Sequence, residues 1–304
     1  MKTITYLSII LIILSCKTDS KSDTNYEHDE SEIQKSISFS KAEKLVGDFK
    51  FTEGPATDTD GNVYFTDIPE NKIYVWGVDE KLDLFRENTG GANGLYFDNE
   101  GLLLACEGQK GLISSISLEG DYTVIASQFE EKRFNQPNDI WPNPEGGIYF
   151  TDPKYSDDMQ LPQGGMHVYY IHEDRTSISR VTDDLVKPNG LIGTPDGKIL
   201  YITDPGAGKT FKYNISEEGM LTNKTLFVDV SGDGMTIDTD GNVYLTTDGK
   251  KAIDIFSSEG ELIASVKVPE QPANVCFGGE NKNQLFVTAR TSLYRIDSSQ
   301  TGVD

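Results

Sequence analysis

Two stretches decide the reading: Asp60-Gly61-Asn62-Val63-Tyr64-Phe65-Thr66-Asp67 and Asp240-Gly241-Asn242-Val243-Tyr244-Leu245-Thr246-Thr247. They are near duplicates far apart in one chain. Weaker copies lie between them. Glu100-Gly101 leads to Ala105-Cys106-Glu107, Glu145-Gly146 to Ile148-Tyr149-Phe150-Thr151-Asp152, and Asp196-Gly197 to Leu200-Tyr201-Ile202-Thr203-Asp204. A degenerate sixth copy runs from Asn281 to Thr288. Each is a Gly-bearing turn opening a run of β-branched and aromatic residues, the composition of a strand. The turn glycines stand at 61, 101, 146, 197 and 241, so their spacings are 40, 45, 51 and 44. That period, with room for four short strands, is the blade of a β-propeller. Helical periodicity is nearly absent. The expected fold is all-β: a six-bladed β-propeller with four-stranded antiparallel blades around a central metal channel. The sixth repeat stops early, at Asp297, and Ser36 to Phe49 precede the first. Closing the ring then requires the N-terminal segment to supply the outer strand of the last blade.

Outside the repeats the chain reads differently. Lys2 precedes an apolar run from Ile4 to Leu14, which is the pattern of an export signal and too short to span a bilayer. Ile13-Leu14-Ser15-Cys16 resembles a bacterial lipobox, making residues 1–15 a lipoprotein signal peptide and Cys16 the lipidated residue. Residues 17–35 carry almost no large apolar side chains and continue from Cys16 as a flexible tether. Residues 36–304 form the single propeller domain. The expected location is a membrane-anchored lipoprotein of the bacterial cell envelope, in the periplasm or at the surface. With 27 basic and 49 acidic residues the chain carries a formal charge of −22. That balance disfavours nucleic acid and leaves the lipid anchor as the contact with membrane. A monomer is expected. Cys106 and Cys276 both lie in apolar runs, as buried free thiols do, with a disulfide as the alternative.

Eight residues before each turn glycine lies a polar residue beside Gly or Pro. The positions are Glu53, Asn93, Asn138, Asn189 and Asp233; the sixth repeat gives Ala273, with Asn274 next to it. Each of these alone reads as a turn former. The constant offset argues for more, because the strand before the turn is the innermost of its blade. Equivalent residues on different blades therefore converge on the axis. Two carboxylates and up to three amide oxygens make a hard-oxygen cage for one divalent ion, Ca²⁺ in first place, with Mg²⁺, Mn²⁺ or Zn²⁺ as alternatives. The ends of the following strands, among them Asp67, Glu107, Asp152 and Asp204, with Arg290 in the last blade, flank that ring. For Asp67 and Asp204, simple capping of a loop is an equal reading.

The chain also resembles the gluconolactonase family, which includes the regucalcin-like (senescence marker) proteins. The resemblance runs from about Glu53 to about Arg295. It rests on Phe51-Thr52-Glu53-Gly54-Pro55, Gly91-Ala92-Asn93-Gly94-Leu95, Pro137-Asn138-Asp139-Ile140, Tyr149-Phe150-Thr151-Asp152-Pro153, Pro188-Asn189-Gly190-Leu191 and Asp233-Gly234-Met235. It implies a six-bladed propeller whose single ion, usually calcium, is held by Glu53, Asn138, Asn189 and Asp233. Asn93 then belongs to the substrate shell. Many bacterial relatives have His directly after the Cys-Glu of blade two; here Gly108 follows Glu107, which points to a different lactone.

The implied reaction is metal-dependent opening of a sugar lactone, glucono-1,5-lactone to gluconate. Asp233 is the expected catalytic base, with Asn93, Glu107, Asp152 and Arg290 orienting the substrate. Ser-His-Asp catalysis is set aside: of three histidines, His28 lies in the tether and His167 and His172 in one strand, and no Gly-x-Ser-x-Gly elbow occurs. His167 reads as a hydrogen-bonded strand histidine, with the channel mouth as the other placement. The alternatives are another lactone or an organophosphate ester on the same site, or a carbohydrate-binding surface lipoprotein without turnover.

Overall fold

Each repeat folds first as a hairpin, and its turn is built by the polar residue three before the glycine. Asp58 Oδ1 accepts the backbone N–H groups of Asp60 and Asn62 at 3.0 and 2.9 Å. Asp98 and Asp238 repeat that arrangement, and Asn143 and Thr194 serve the corresponding turns. A short side-chain acceptor fixes the loop, and the glycine takes the left-handed conformation that closes it (φ 90° at Gly61).

The computed structural model describes residues 37–156 and 160–303; the signal segment, the tether and Cys16 lie outside them. Among the described residues there are no helices. Six four-stranded antiparallel sheets form the blades of a β-propeller. The innermost strands are Thr52–Thr57, Ala92–Phe97, Ile140–Pro142, Leu191–Gly193, Gly232–Ile237 and Pro272–Gly278. The second strands are Val63–Asp67, Leu103–Glu107, Ile148–Asp152, Ile199–Asp204, Val243–Thr247 and Gln284–Ala289. Ring closure is as the sequence predicts: Glu43–Val46 pairs with Ser292–Asp297 as the outer strand of blade six. Arg295 reinforces that seam with bonds to Glu43 and Glu80 at 2.8 and 2.9 Å.

The second strands are almost entirely buried, because neighbouring blades cover both faces. Their apolar residues fill the core between sheets, where Phe65, Leu104, Phe150, Leu200 and Tyr244 are sealed from solvent. The penultimate residue is threonine in five blades, and in four of them its hydroxyl ties one blade to the next. Thr66 bonds the Asn93 carbonyl, Thr151 that of Asn189, Thr203 that of Gly232 and Thr246 that of Ala273. Thr52 closes the ring onto Ser292 of blade six. The acceptors at Asn93, Asn189, Gly232 and Ala273 lie in the innermost segments of their blades, so this belt holds the axial residues in place. In blade two the same position is Cys106, which like Cys276 is buried and forms no disulfide among the described residues.

Candidate metal centre and active site

The innermost strands do not begin as regular ladder. Register shifts lie between Glu53 and Ala56, Ala92 and Leu95, Gly232 and Met235, and Pro272 and Asn274. Such bulges bend the chain and re-aim side chains. In blades three and four the regular strand starts later, and Asn138 and Asn189 sit just ahead of it, their N–H groups bonded to Thr151 and Thr203 carbonyls. Adjacent blades are stitched at the same level: Gly94 N–H donates to the Asn138 carbonyl and Gly190 N–H to that of Asp233, at 2.7 and 2.9 Å. The glycines are obligatory here, since a Cβ on Gly54 would stand 1.9 Å from the Asn93 carbonyl oxygen.

Glu53, Asn138 and Asn189 are buried and Asp233 is half-buried. The electrostatics put Glu53, Asn189 and Asp233 in one cluster, and Asn138 stands at the same level by its backbone, its carbonyl accepting the Gly94 N–H. Burial pushes the Glu53 carboxyl well above the usual range, and the charges of Asp233 and Asp139 push it further, against one bond from Gly54. Burial raises Asp233 to about 7; the Asn189 amide, Arg290 and Lys187 oppose that rise and Asp248 adds to it. Two carboxylates enclosed with each other and with no cation between them are costly, and a bound cation removes that cost. No group of three His, Cys, Asp or Glu side chains able to hold a metal occurs among the described residues. The set therefore depends on the amide oxygens of Asn138 and Asn189 joining its two carboxylates. Four hard oxygen donors fit a Ca²⁺-like ion.

One residue further along each strand lies a second tier that the eight-residue count did not single out. The residues are Gly54, Gly94, Asp139, Gly190, Gly234 and Asn274. The two side chains belong to blades three and six, opposite one another, and each is 7 % exposed. Burial raises Asp139 to about 7, although it accepts the N–H groups of Ile140 and Leu191, and the Asn274 amide bonds both it and Glu53. Only glycine leaves room beside them, because a Cβ on Gly234 would lie 2.0 Å from the Asn274 amide. The signal in the sequence was the Gly-Gly-Asp-Gly-Gly-Asn pattern one place after the counted positions.

Cavities reach this axis from both ends. One, of ≈ 220 Å³, is lined by Phe51, Asp233, Asp248, Gln271 and Arg290, among others. The larger, of ≈ 460 Å³, takes Thr57, Asn99, Pro144, Pro195, Thr236 and Cys276 from six different blades, and reaches Asp139 and Asn274. Of the residues expected to orient substrate, Arg290 thus shares a cavity with Asp233, its guanidinium 5.7 Å from the Phe51 ring centre. Asn93 is half-buried in the ring.

Glu107 and Asp152 have a different place from the one expected. Glu107, 1 % exposed, accepts Ser114 Oγ and Lys110 Nζ, both at 2.7 Å. Asp152, fully buried, accepts the Asn135 N–H through Oδ2, while its Oδ1 has no partner. Burial raises its carboxyl to about 7. Both acids support loops instead of facing the channel. Asp67 and Asp204 do the same, holding the loops at Lys50-Phe51 and Val186-Lys187, so capping is the reading that holds for them. His167 is a buried strand residue opposite Asp152 in the ladder, and its Nδ1 lacks the hydrogen-bond partner expected of it among the described residues. Sequence reasoning also missed Tyr155, whose hydroxyl takes the Asn189 Nδ2 hydrogen at 2.6 Å.

Known proteins share this arrangement of fold. The gluconolactonase of Zymomonas mobilis is 26 % identical over 293 residues, covering 86 % of this chain and 82 % of the relative. An X-ray structure of a protein assigned as a gluconolactonase is 27 % identical with a TM-score of 0.80, covering 87 % of this chain and 94 % of the other. The calcium-binding protein regucalcin from Agrobacterium tumefaciens superposes with a TM-score of 0.74 at 19 % identity, covering 87 % and 95 %. The sequence profile of the SMP-30/Gluconolactonase/LRE-like region matches residues 51–291. Spanning the ring from the first blade to the last, that match shows that the chain belongs to the SMP-30/gluconolactonase/LRE-like family.

Proposed function

We propose that this protein is a divalent-cation-dependent lactonase that opens a sugar lactone, with glucono-1,5-lactone to gluconate as the first substrate to test. The relatives support lactone hydrolysis as the reaction class. The observation that supports the cation dependence is the proximity of Glu53 and Asp233, two acids raised by burial, with the Asn189 amide on Asp233.

Glu53, Asn138, Asn189 and Asp233 would hold the ion, calcium by the chemistry of the donors and by analogy with regucalcin. Bound there, it supplies Lewis-acid polarisation of the lactone carbonyl and charge stabilisation of the oxyanion. Asp233 is the acid closest to the open side of the cluster, so it is the group placed to take a proton from the attacking water. Arg290, in the same cavity, donates to the hydroxyls of the sugar or to the carboxylate of the product. Asn93 completes the polar wall. The threonine belt and the glycine tier keep these groups fixed, which is what positioning catalysis requires.

The test is acid release from a panel of lactones by the purified protein, with and without chelator. Release abolished by chelator and restored by calcium supports the proposal. Turnover of an organophosphate but of no lactone keeps the site and changes the substrate. Sugar binding without turnover of any ester makes the protein a binding module. The Ile13-Leu14-Ser15-Cys16 run further supports an enzyme anchored in the cell envelope through Cys16, which recovery of the protein in the membrane fraction would test.

A further inference from the structure

Tyr155 stands on the segment that follows the second strand of blade three. It is 48 % exposed, yet its hydroxyl is drawn inward to Asn189, 2.6 Å from Nδ2. Three contacts fix it there. Its own N–H and that of Ser156 donate to Gln136 Oε1, at 2.5 and 3.2 Å. The Lys187 ammonium lies 4.0 Å from the centre of its ring. Gln136 is two residues before Asn138, and Lys187 two before Asn189. The same short runs that carry both axial amides thus hold this one tyrosine, from blade three on one side and blade four on the other.

An asparagine can offer either its oxygen or its nitrogen to the axis, and only the oxygen binds a cation. We propose that Tyr155 is a positioning residue of the axial site: by accepting the Asn189 Nδ2 hydrogen, its hydroxyl leaves Oδ1 as the atom offered to the cation. Asn189 makes this bond through Nδ2, and its amide also bonds the Asp233 carboxylate at the axis. The inference rests on the reading of the axis as a divalent-cation site. Outer-shell partners of this kind set the orientation of the atoms that bind. A surface aromatic kept for packing alone would need its ring but not its oxygen.

Tyr155→Phe separates the two. It keeps the ring, the Lys187 contact and the backbone bonds to Gln136, and removes only the oxygen. Calorimetric titration of Ca²⁺ into chelator-stripped wild type and variant is the direct reading. The variant is expected to bind calcium about tenfold or more weakly, with the melting temperature of the calcium-free protein unchanged. Lactone hydrolysis by the variant should recover when calcium is raised to saturation. Equal calcium affinity in the two proteins overturns the inference, and so does a rate deficit that persists at saturating calcium with affinity unchanged. A wild type that takes up no calcium, magnesium, manganese or zinc overturns the axial cation site itself.

Discussion

In the proposed reaction, Asp233 is the residue on which the chemistry turns. It shares the axis with Glu53 and a cavity with Arg290. Replacing it with asparagine keeps the shape and one oxygen able to bind the cation but removes the charge and the base. We expect kcat/KM for the best lactone to fall by about a hundredfold or more in Asp233→Asn, the scale seen when a group stabilising a transition state is lost. A fall of less than tenfold would place the proton transfer elsewhere. Asp152 makes the opposite case. Its carboxyl is raised from 3.8 to about 7 by burial, so the folded state holds its proton more tightly than the unfolded chain. That contribution is complete below about pH 4 and is lost as pH rises through 7. Asp152→Asn should therefore match wild type near pH 4 and melt several degrees higher at pH 8, by thermal unfolding across that range. An equal or lower melting temperature at pH 8 would contradict the assignment. The repeats located Glu107 and Asp152 at strand ends correctly. They did not reveal which way those ends face, because that depends on the loops at Asn135 and Lys110, which lie outside the repeated pattern.

At the level of the strand, what makes the site is irregularity. The eight-residue offset found Glu53, Asn138, Asn189 and Asp233 because the chain from that position to the turn glycine has the same length in those blades, although the regular strand within it is shorter in blades three and four. In blade six the same count reaches Ala273, and the register shift beside it turns Asn274 into the channel. A bulge of that kind leaves no mark in composition. The second tier was equally hidden, since a run of glycines reads first as turn residues. Its physical purpose is space. Gly234→Ala would drive a methyl group into the Asn274 amide and through it disturb both Glu53 and Asp139. We expect lactone turnover to drop tenfold or more while the fold, followed by circular dichroism, is retained. Undiminished turnover would show that the tier is only filler. Tyr155 was less legible than the axial residues, because it stands after the second strand of blade three in a stretch that the other repeats do not share.

The whole molecule is held by closure of the ring. Its six-blade count, the antiparallel order and the return of the N-terminal strand to blade six were all readable in the spacing of the turn glycines. A chain beginning at Gly47 would lose Glu43–Val46 and expose the edge of Ser292–Asp297, an open template for association. We expect that truncation to lower the melting temperature by several degrees and to aggregate in sizing chromatography; a monodisperse truncation of unchanged stability would mean that blade six does not need its outer strand. The central claim concerns the axis that the closed ring creates, and diffraction can test it most directly. In a crystal grown with calcium, the anomalous difference map should show one strong peak at roughly 2.3–2.6 Å from oxygens of Glu53, Asn138, Asn189 and Asp233. A map with no peak there, or with its strongest peak away from these four residues, would contradict the account.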